Sequence, residues 1–481
     1  MRCVIPIACL LIFYSSAFAQ TFTDFINRAY SLPAGERPAL VDSFMDAVES
    51  FPFVEFDTVA HYIYRGTATR VNVPGDANNW NANEYPMTSL SGTNFWYYTQ
   101  IFEADARLDY KYVINNSTWI LDPLNPYTCT GGFGPNSELR MPAYVMPPEI
   151  EYRPAIPHGS LQDTMFASTY LGNTRRIRVY TPPDYDALSG IRYPMILFHD
   201  GLEYVTLANA NNVLDYLIWQ QRIEPVIAVF VPPVNRTSEY AGEQQNAFTN
   251  FIVHEVIPWV DGRFLTQPDA AHRAMLGASY GGNISLWHGL QHPEVFGKIA
   301  AQSAYVQPSI QTGFASGPVL DLMFYLDMGT YDIPSLPPLV DQLAATLEAR
   351  GYSYQYEIYH EGHSWGNWRA HIDNALERFF PYTVSAPHNP PSSVPGEWHL
   401  KIFPNPFNAT TQLTFVLPAP GRVTAQLYDI SGRLVRTLTA GYYSGGSHDL
   451  TIDSTGLTSG LYFARCNYNQ NVRTQKLLLI K

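Results

Sequence analysis

MLGASYGGNIS, residues 275–285, sets Ser279 between Gly277 and Gly281 and so fits the pattern G-x-S-x-G. With 32 glycines among 481 residues, chance supplies such a pattern in a chain this long roughly one time in ten, so the flanks decide. AMLG before it is a short apolar run with strand character, and the residues after Gly282 have helical character. A strand–elbow–helix turn strains a serine and lifts its oxygen above a sheet. The flanking glycines let two backbones approach where a side chain would clash. Tyr280 would open the helix, with its N–H available to a developing oxyanion.

Working outward, the same grammar repeats. Strand-like RRIRVYTPP, YPMILFHDG, VIAVFVPPV, AMLG, KIAAQSA, VLDLMFYLDMG and SYQYEIYHEG alternate with helical stretches such as LANANNVLDYLIWQQ, NISLWHGLQHP and LPPLVDQLAATLEARG, closing on a helix NWRAHIDNALERFF. Apolar strands alternating with helical periodicity predict an α/β fold over residues 160–384, a mostly parallel sheet with helices on both faces.

A nucleophilic serine needs a base and an orienting acid. In a sheet of this kind the order is Ser, acid, His, with the His in the loop after the last strand. YSYQYEIYHEGHSWGNW offers His360, which continues the strand alternation, and His363, which follows Gly362 off the strand. His363 is the better base. His254, His288, His292 and His371 fall in helical stretches. In FYLDMGTYDIP, Asp327 lies within the strand and Asp332 beyond Gly329, where a carboxylate can hold the imidazole tautomer. Asp332 is the expected acid, with Asp327 and Glu361 as fallbacks. ILFHDG ends an earlier strand, where a backbone N–H of Gly201 or Leu202 can supply a second oxyanion donor, although a plain strand-ending turn gives the same letters.

The flanks read differently. MRCVIPIACLLIFYSSAFAQ has Arg2, an apolar run and Ala17-Phe18-Ala19, the form of a signal peptide cleaved before Gln20; a lipoprotein reading at Cys9 fits less well, with Pro6 badly placed. Residues 20–52 carry helical spacing (Phe44, Val48, Phe51). Residues 53–130 turn to short runs (HYIYRG, NFWYYTQIF, LDYKYVIN, STWILDP) broken by Gly, Asn and Pro, as in a β-sandwich. GGFGPNSELRMPAYVMPPEIEYRPAIPHG, 131–159, predicts an extended connector. SAPHNPPSSVPGE predicts a Pro/Ser linker over 385–397, and residues 398–481 return to short strands, a second all-β sandwich.

Composition narrows the function. A net charge of −13 leaves no basic face for nucleic acid. No stretch after the leader approaches the roughly 20 continuous apolar residues of a membrane span. Two of the four cysteines lie in the leader; Cys129 and Cys466 fall in different modules, which argues against a structural disulfide. CxxC, HExxH and His/Cys clusters are absent from the sequence, so no metal site is predicted.

YPMILFHDG, NRTSEY, HEVIPWVDGRF, HRAMLGASYGGNISLWHGLQHPEVFGKIAAQSA, DMGTYD and EGHSWGNWR, in that order over about 165–380, resemble the esterase D-type α/β-hydrolases. That group includes enterobactin esterases and the feruloyl and acetyl-xylan esterases of carbohydrate esterase family 1. The resemblance implies a triad of Ser279, Asp332 and His363, an oxyanion hole from Tyr280 and the Gly201 region, and no cofactor. Arg236 and Trp365 sit in motifs that neighbour the family's pocket, as substrate-binding or structural residues. VNVPGDANNWN and LDYKYVINNSTWILDPLNP resemble the immunoglobulin-like modules of secreted esterases and glycogen-active enzymes, which would give Trp80 and Trp119 a sugar-binding role; packing is the stronger reading for Trp80, Trp96 and Trp119. FPNPFNATTQLTFVLP, LYDISGRLVRTL, SGLYFAR and KLLLIK resemble type IX secretion sorting domains, with Ala409 where Pro is commoner. A bacterial protein exported to the surface or medium, with the type IX machinery as partner, is implied.

The expected activity is a secreted serine carboxylic-ester hydrolase acting on a polysaccharide or small-molecule ester, with feruloyl or acetyl esters of plant polysaccharide the first choice. The alternatives are a siderophore trilactone esterase, acyl transfer to a sugar, and a non-catalytic carbohydrate-binding protein on a hydrolase scaffold.

Overall fold

The computed structural model describes residues 21–382, 399–417, 421–443, 446–468 and 471–481. The predicted signal peptide and the Pro/Ser linker lie outside these residues. The chain divides into two compact units, Met1–Thr383 and Val384–Lys481.

An eleven-stranded sheet organises the first unit. Its middle strands run parallel in the spatial order Ile227–Val231, Met195–His199, Arg273–Ala278, Lys298–Gln302, Met323–Tyr331, Ser353–Gly362. Alternation sorts their side chains between two cores, since successive residues point to opposite faces. Met195 and Leu197 join Phe248, Ile284 and Leu343 on one face, whereas Ile196 and Phe198 join Leu214, Leu217 and Ile372 on the other. Helices cover both faces, as the sequence pattern predicts.

The sheet does not stop at the hydrolase region. Beyond Ser353–Gly362 it adds Arg107–Tyr110, parallel and registered by Glu361 opposite Arg107, then Gly134–Arg140 and Thr128–Gly131, both antiparallel. The expected connector over 131–159 thus contains a strand. Its buried residues are Ser137, Glu138 and Leu139, so it lacks the apolar alternation by which strands are read. The rest of the sandwich is a four-stranded sheet of Phe53–Glu55, Val59–Arg65, Phe95–Ile101 and Thr88–Ser89, and a three-stranded sheet of Val71–Asn72, Tyr112–Ile114 and Thr118–Ile120. Two helices, Phe22–Ser31 and Arg37–Ala47, pack Phe22, Phe25 and Val41 against Ile63 and Phe95; the first opens on a capping box between Thr21 and Asp24.

Two further differences have local causes. The expected last helix is broken at His371 into Trp365–Ala370 and Ile372–Phe379, because the ring of His371 stacks on Tyr359 at 3.4 Å and bonds Glu361 at 2.8 Å. Pro308–Ser316 is a helix whose apolar face is little more than Ile310 and Phe314, too short a signal to register.

The second unit is all-β. Antiparallel sheets of three strands (His399–Phe403, Thr410–Leu417, Gly446–Asp453) and four (Leu434–Tyr443, Gly421–Asp429, Gly460–Tyr468, Asn471–Leu479) enclose Leu413, Phe415, Leu427 and Leu477. Within FPNPFN, Asn405 bonds the backbone of Lys476 and Leu478, which ties the start of this unit to its last strand. Among the described residues no helix is long and apolar enough to cross a membrane.

Candidate active site

The strand Arg273–Ala278 ends on Ser279, which turns at φ 57°, ψ −116° into the helix Tyr280–Gln291. This left-handed conformation costs a residue with a β-carbon energy. It is held by the Ser279 N–H donating to the Gln302 carbonyl at 2.8 Å, and by the Tyr305 and Asn283 N–H groups donating to the Ser279 carbonyl at 3.2 and 3.1 Å. Gly282 is equally constrained: a Cβ there would lie 2.8 Å from that of Ala304.

Asp200 lies against the elbow. It also has positive φ (53°), and a Cβ on Gly281 would lie 3.0 Å from its Oδ2. Arg236 holds it with a two-pronged contact, Nε to Oδ1 at 2.8 Å and Nη2 to Oδ2 at 2.7 Å, and Nη2 also donates to the Ala278 carbonyl at 3.0 Å. Burial pushes the Asp200 carboxyl up from its ordinary range, and the Arg236 charge opposes it. The next residue must be glycine, since a Cβ on Gly201 would sit 2.3 Å from the backbone nitrogen of Val231.

His363 follows the strand Ser353–Gly362. Its Nδ1 bonds Asp332 Oδ1 at 2.8 Å, leaving Nε2 as the other ring nitrogen, and its ring stands edge-on to Trp368 at 5.0 Å. The Asp332 side chain is fully buried, and Oδ1 also accepts from the Ile333 N–H at 2.6 Å. The fallback residues have other partners. Asp327 accepts from Gln302 at 3.0 Å, and burial raises it to about 7. Glu361 bonds His371, and His360 bonds Asp105 at 2.7 Å. His288 donates to the Ile284 carbonyl within the core, where burial lowers it to about 3.

Ser279 and His363 line one cavity of about 760 Å³, together with Asp200, Glu203, Arg236, Trp365 and Trp368. Arg236 and Trp365 are therefore at the cavity, and the guanidinium of Arg236 is engaged by Asp200. Tyr280, Gly201 and Leu202 are not among its lining residues; they are the sequence neighbours of Ser279 and Asp200, which are. Among the described residues no cluster of three His, Cys, Asp or Glu is set to hold a metal.

Part of the lining comes from the sandwich. Trp80, Trp119, Phe133, Asn79, Asn136, Lys111, Asp76 and Asp109 all face the cavity. Trp80 Nε1 donates to Asp76 Oδ1 at 3.0 Å, Trp119 is half exposed, and Phe133 stands fully exposed at the tip of the Gly131–Gly134 hairpin. Trp96, by contrast, is a core residue whose Nε1 donates to the Gly66 carbonyl. Sequence reasoning singled out Trp80 and Trp119 but missed Phe133, Asp76 and Asp109; only the shared sheet brings that wall to Ser279.

Comparison with known proteins agrees with this architecture. Residues 168–332 match the esterase family, residues 53–128 carbohydrate-binding module 48 (isoamylase N-terminal domain), and residues 401–481 the secretion system C-terminal sorting domain. An uncharacterized protein, YjcH, of Bacillus subtilis is 27% identical over 236 residues, 46% of this chain and 98% of that one. The endo-1,4-beta-xylanase/feruloyl esterase of Xylanibacter ruminicola is 25% identical over 48% of this chain, which spans only 32% of that protein's length. The enterobactin esterase of Shigella flexneri superposes with a TM-score of 0.60 at 22% identity, covering 70% of this chain and 97% of that one, a likeness of fold. The sorting domain marks the protein for secretion or the bacterial cell surface. The chain thus carries an esterase-family domain between a carbohydrate-binding module 48 sandwich and a secretion sorting domain, and it is a carboxylic ester hydrolase.

Proposed function

We propose that this protein is a secreted serine esterase that removes acyl groups, feruloyl or acetyl, from plant polysaccharide. Ser279 Oγ attacks the ester carbonyl while His363 Nε2 takes its proton, and Asp332 holds Nδ1–H and stabilises the imidazolium. The N–H of Tyr280 and that of Gly201 or Leu202 stabilise the tetrahedral oxyanion. His363 then protonates the departing sugar oxygen. Water, activated by the same imidazole, cleaves the acyl-enzyme and releases the acid.

One observation carries the reading: Ser279 and the Asp332-bonded His363 line a cavity that is also lined by Trp80, Trp119, Phe133 and the amides of Asn79 and Asn136 from the sandwich. Indole faces flanked by carboxylates and amides suit a sugar ring, which offers C–H faces and equatorial hydroxyls.

A fluorophosphonate probe tests the chemistry. Wild type should label and Ser279→Ala should not; equal labelling of both, or none of wild type, overturns the triad. Hydrolysis of methyl ferulate, acetylated xylan and enterobactin tests the substrate, and turnover of enterobactin above both of the others would reverse the assignment.

A further inference from the structure

Arg107 begins the sandwich strand that joins the hydrolase sheet, and it is wholly buried. Its guanidinium divides among three partners. Nε donates to Glu138 Oε1 at 2.6 Å, Nη2 to Asp109 Oδ1 at 2.5 Å, and Nη1 to Ser364 Oγ at 3.0 Å. The last partner is the residue directly after His363.

The hydrolase chain is shaped to receive these groups. A Cβ on Gly366 would lie 2.0 Å from Arg107 Cζ, and one on Gly362 would lie 2.1 Å from Asp76 Cγ. Both glycines therefore keep space that a sandwich side chain fills. Glu361 pairs in register with Arg107, Asn367 Nδ2 donates to the Gly362 carbonyl at 3.0 Å, and Ser364 Oγ caps the helix Trp365–Ala370 by accepting from the Asn367 N–H. The residues on both sides of His363 are thus fixed by groups from the sandwich.

Simple adhesion between the two parts would not need this arrangement. Contacts at the rim already supply it, with Asp105 bonded to His360 at 2.7 Å and Tyr331 bonded to Glu103 at 2.7 Å. A buried ion cluster is also an inefficient adhesive, because apolar side chains of similar volume do as well or better. What a planar guanidinium fork adds is direction: three donors in a fixed geometry set where Ser364 stands relative to the sheet.

We propose that Arg107, with Asp76 behind Gly362, is a positioning residue for His363, so that the sandwich is part of the catalytic machinery and not a detachable sugar anchor. This rests on His363 acting as the base. A base displaced by about 1 Å loses on the order of a hundredfold in rate while substrate binding is spared.

The test uses the full chain and 4-nitrophenyl acetate, with thermal melts to verify folding. Arg107→Lys keeps the charge and loses the fork; Ser364→Ala removes the receiving hydroxyl; Ser364→Thr keeps it. Ser364→Ala and Arg107→Lys should each lower kcat at least about tenfold with KM within about twofold. Ser364→Thr should recover most of kcat, and the double variant Arg107→Lys/Ser364→Ala should be little worse than the worse single one, since both act through one bond. Should Arg107→Lys fail to fold, Ser364→Ala and Ser364→Thr decide alone. Wild-type kcat in Ser364→Ala, or equal loss in Ser364→Ala and Ser364→Thr, overturns the positioning role. His363→Ala separates the two readings: if it retains activity the triad itself is wrong, and if it is inactive while Ser364→Ala is unimpaired only the positioning role falls.

Discussion

Gly277 and Gly281 stand so close that a Cβ on Gly277 would lie 2.3 Å from the carbonyl oxygen of Gly281 and 2.4 Å from its carbonyl carbon. The obstructing atoms are backbone, so no rotamer change can relieve the contact. The end of the strand and the first turn of the helix touch here, and Ser279 is left at the apex with positive φ.

Gly277→Ala should therefore disturb the nucleophile more than the fold. Overpacking of this kind costs about 1–3 kcal/mol, which a multi-domain esterase survives, whereas fluorophosphonate labelling of Ser279 should slow at least about tenfold. Gly262→Ala is the control. A Cβ there meets nothing within 4 Å, and replacing glycine within a helix should leave labelling unchanged and the melting temperature equal or higher.

The two aspartates that compete for the role of triad acid should separate cleanly. Asp332→Asn keeps the shape around His363 but presents an amide where Oδ1 accepts from the ring and from Ile333 N–H, so it should lower kcat by about 10⁴, the scale of the wrong tautomer in a serine-protease triad. Asp327→Asn, whose carboxylate bonds Gln302, should keep kcat within about an order of magnitude. The reverse ranking would move the acid to Asp327.

Asp327 also makes stability depend on pH. Burial raises its carboxyl from 3.8 to about 7, so between those values the folded chain holds a proton that the unfolded chain has released. Stability from this group is complete below 3.8 and is lost as pH rises through 7. Asparagine has no such proton. Melting curves of wild type and Asp327→Asn between pH 5 and pH 8 should diverge, with the wild type losing ground as pH rises; parallel curves would mean that the group is ionised throughout.

What the sequence made legible follows from the range of each signal. The elbow is local, and Gly277, Ser279 and Gly281 sit within five residues. The pairing of Asp332 with His363, which bond at 2.8 Å, was legible because each follows a strand in a known order. Arg107 was not. A buried charge breaks apolar alternation, and its partner Ser364 lies 257 positions away. For the same reason Gly134–Arg140 passed for a connector: its buried Glu138 suits a strand only because the Arg107 guanidinium bonds its carboxylate. The cavity wall made by Trp80, Trp119 and Phe133 was likewise invisible, since it needs the sandwich to share the hydrolase sheet.

Arg236, expected at the substrate, should behave first as a brace. Arg236→Gln leaves the Asp200 carboxylate buried without its cation, so it should lower the melting temperature by several degrees, increasingly as pH rises, because loss of the guanidinium lifts an already raised carboxyl further. Arg236→Gln/Asp200→Asn should melt higher than Arg236→Gln alone, since the second change removes the unpaired charge. A double variant that melts lower than the single one would show that Arg236 stabilises the fold by some route other than Asp200.

The sandwich wall predicts a split between polymer and small ester. Trp119 is half exposed and Phe133 fully exposed beside Ser279's cavity, and neither contributes to any hydrophobic core of the sandwich, so truncation should cost little stability. A stacked ring is worth roughly 0.5–1.5 kcal/mol, enough for Trp119→Ala or Phe133→Ala to raise KM on feruloylated or acetylated xylan by about 2- to 12-fold. Methyl ferulate lacks the sugar, and its kcat/KM should stay within about threefold. If Trp119→Ala instead impairs methyl ferulate as strongly as the polymer, the aromatic wall grips the acyl group, and the sugar must leave through the side of the cavity lined by Trp365 and Glu203.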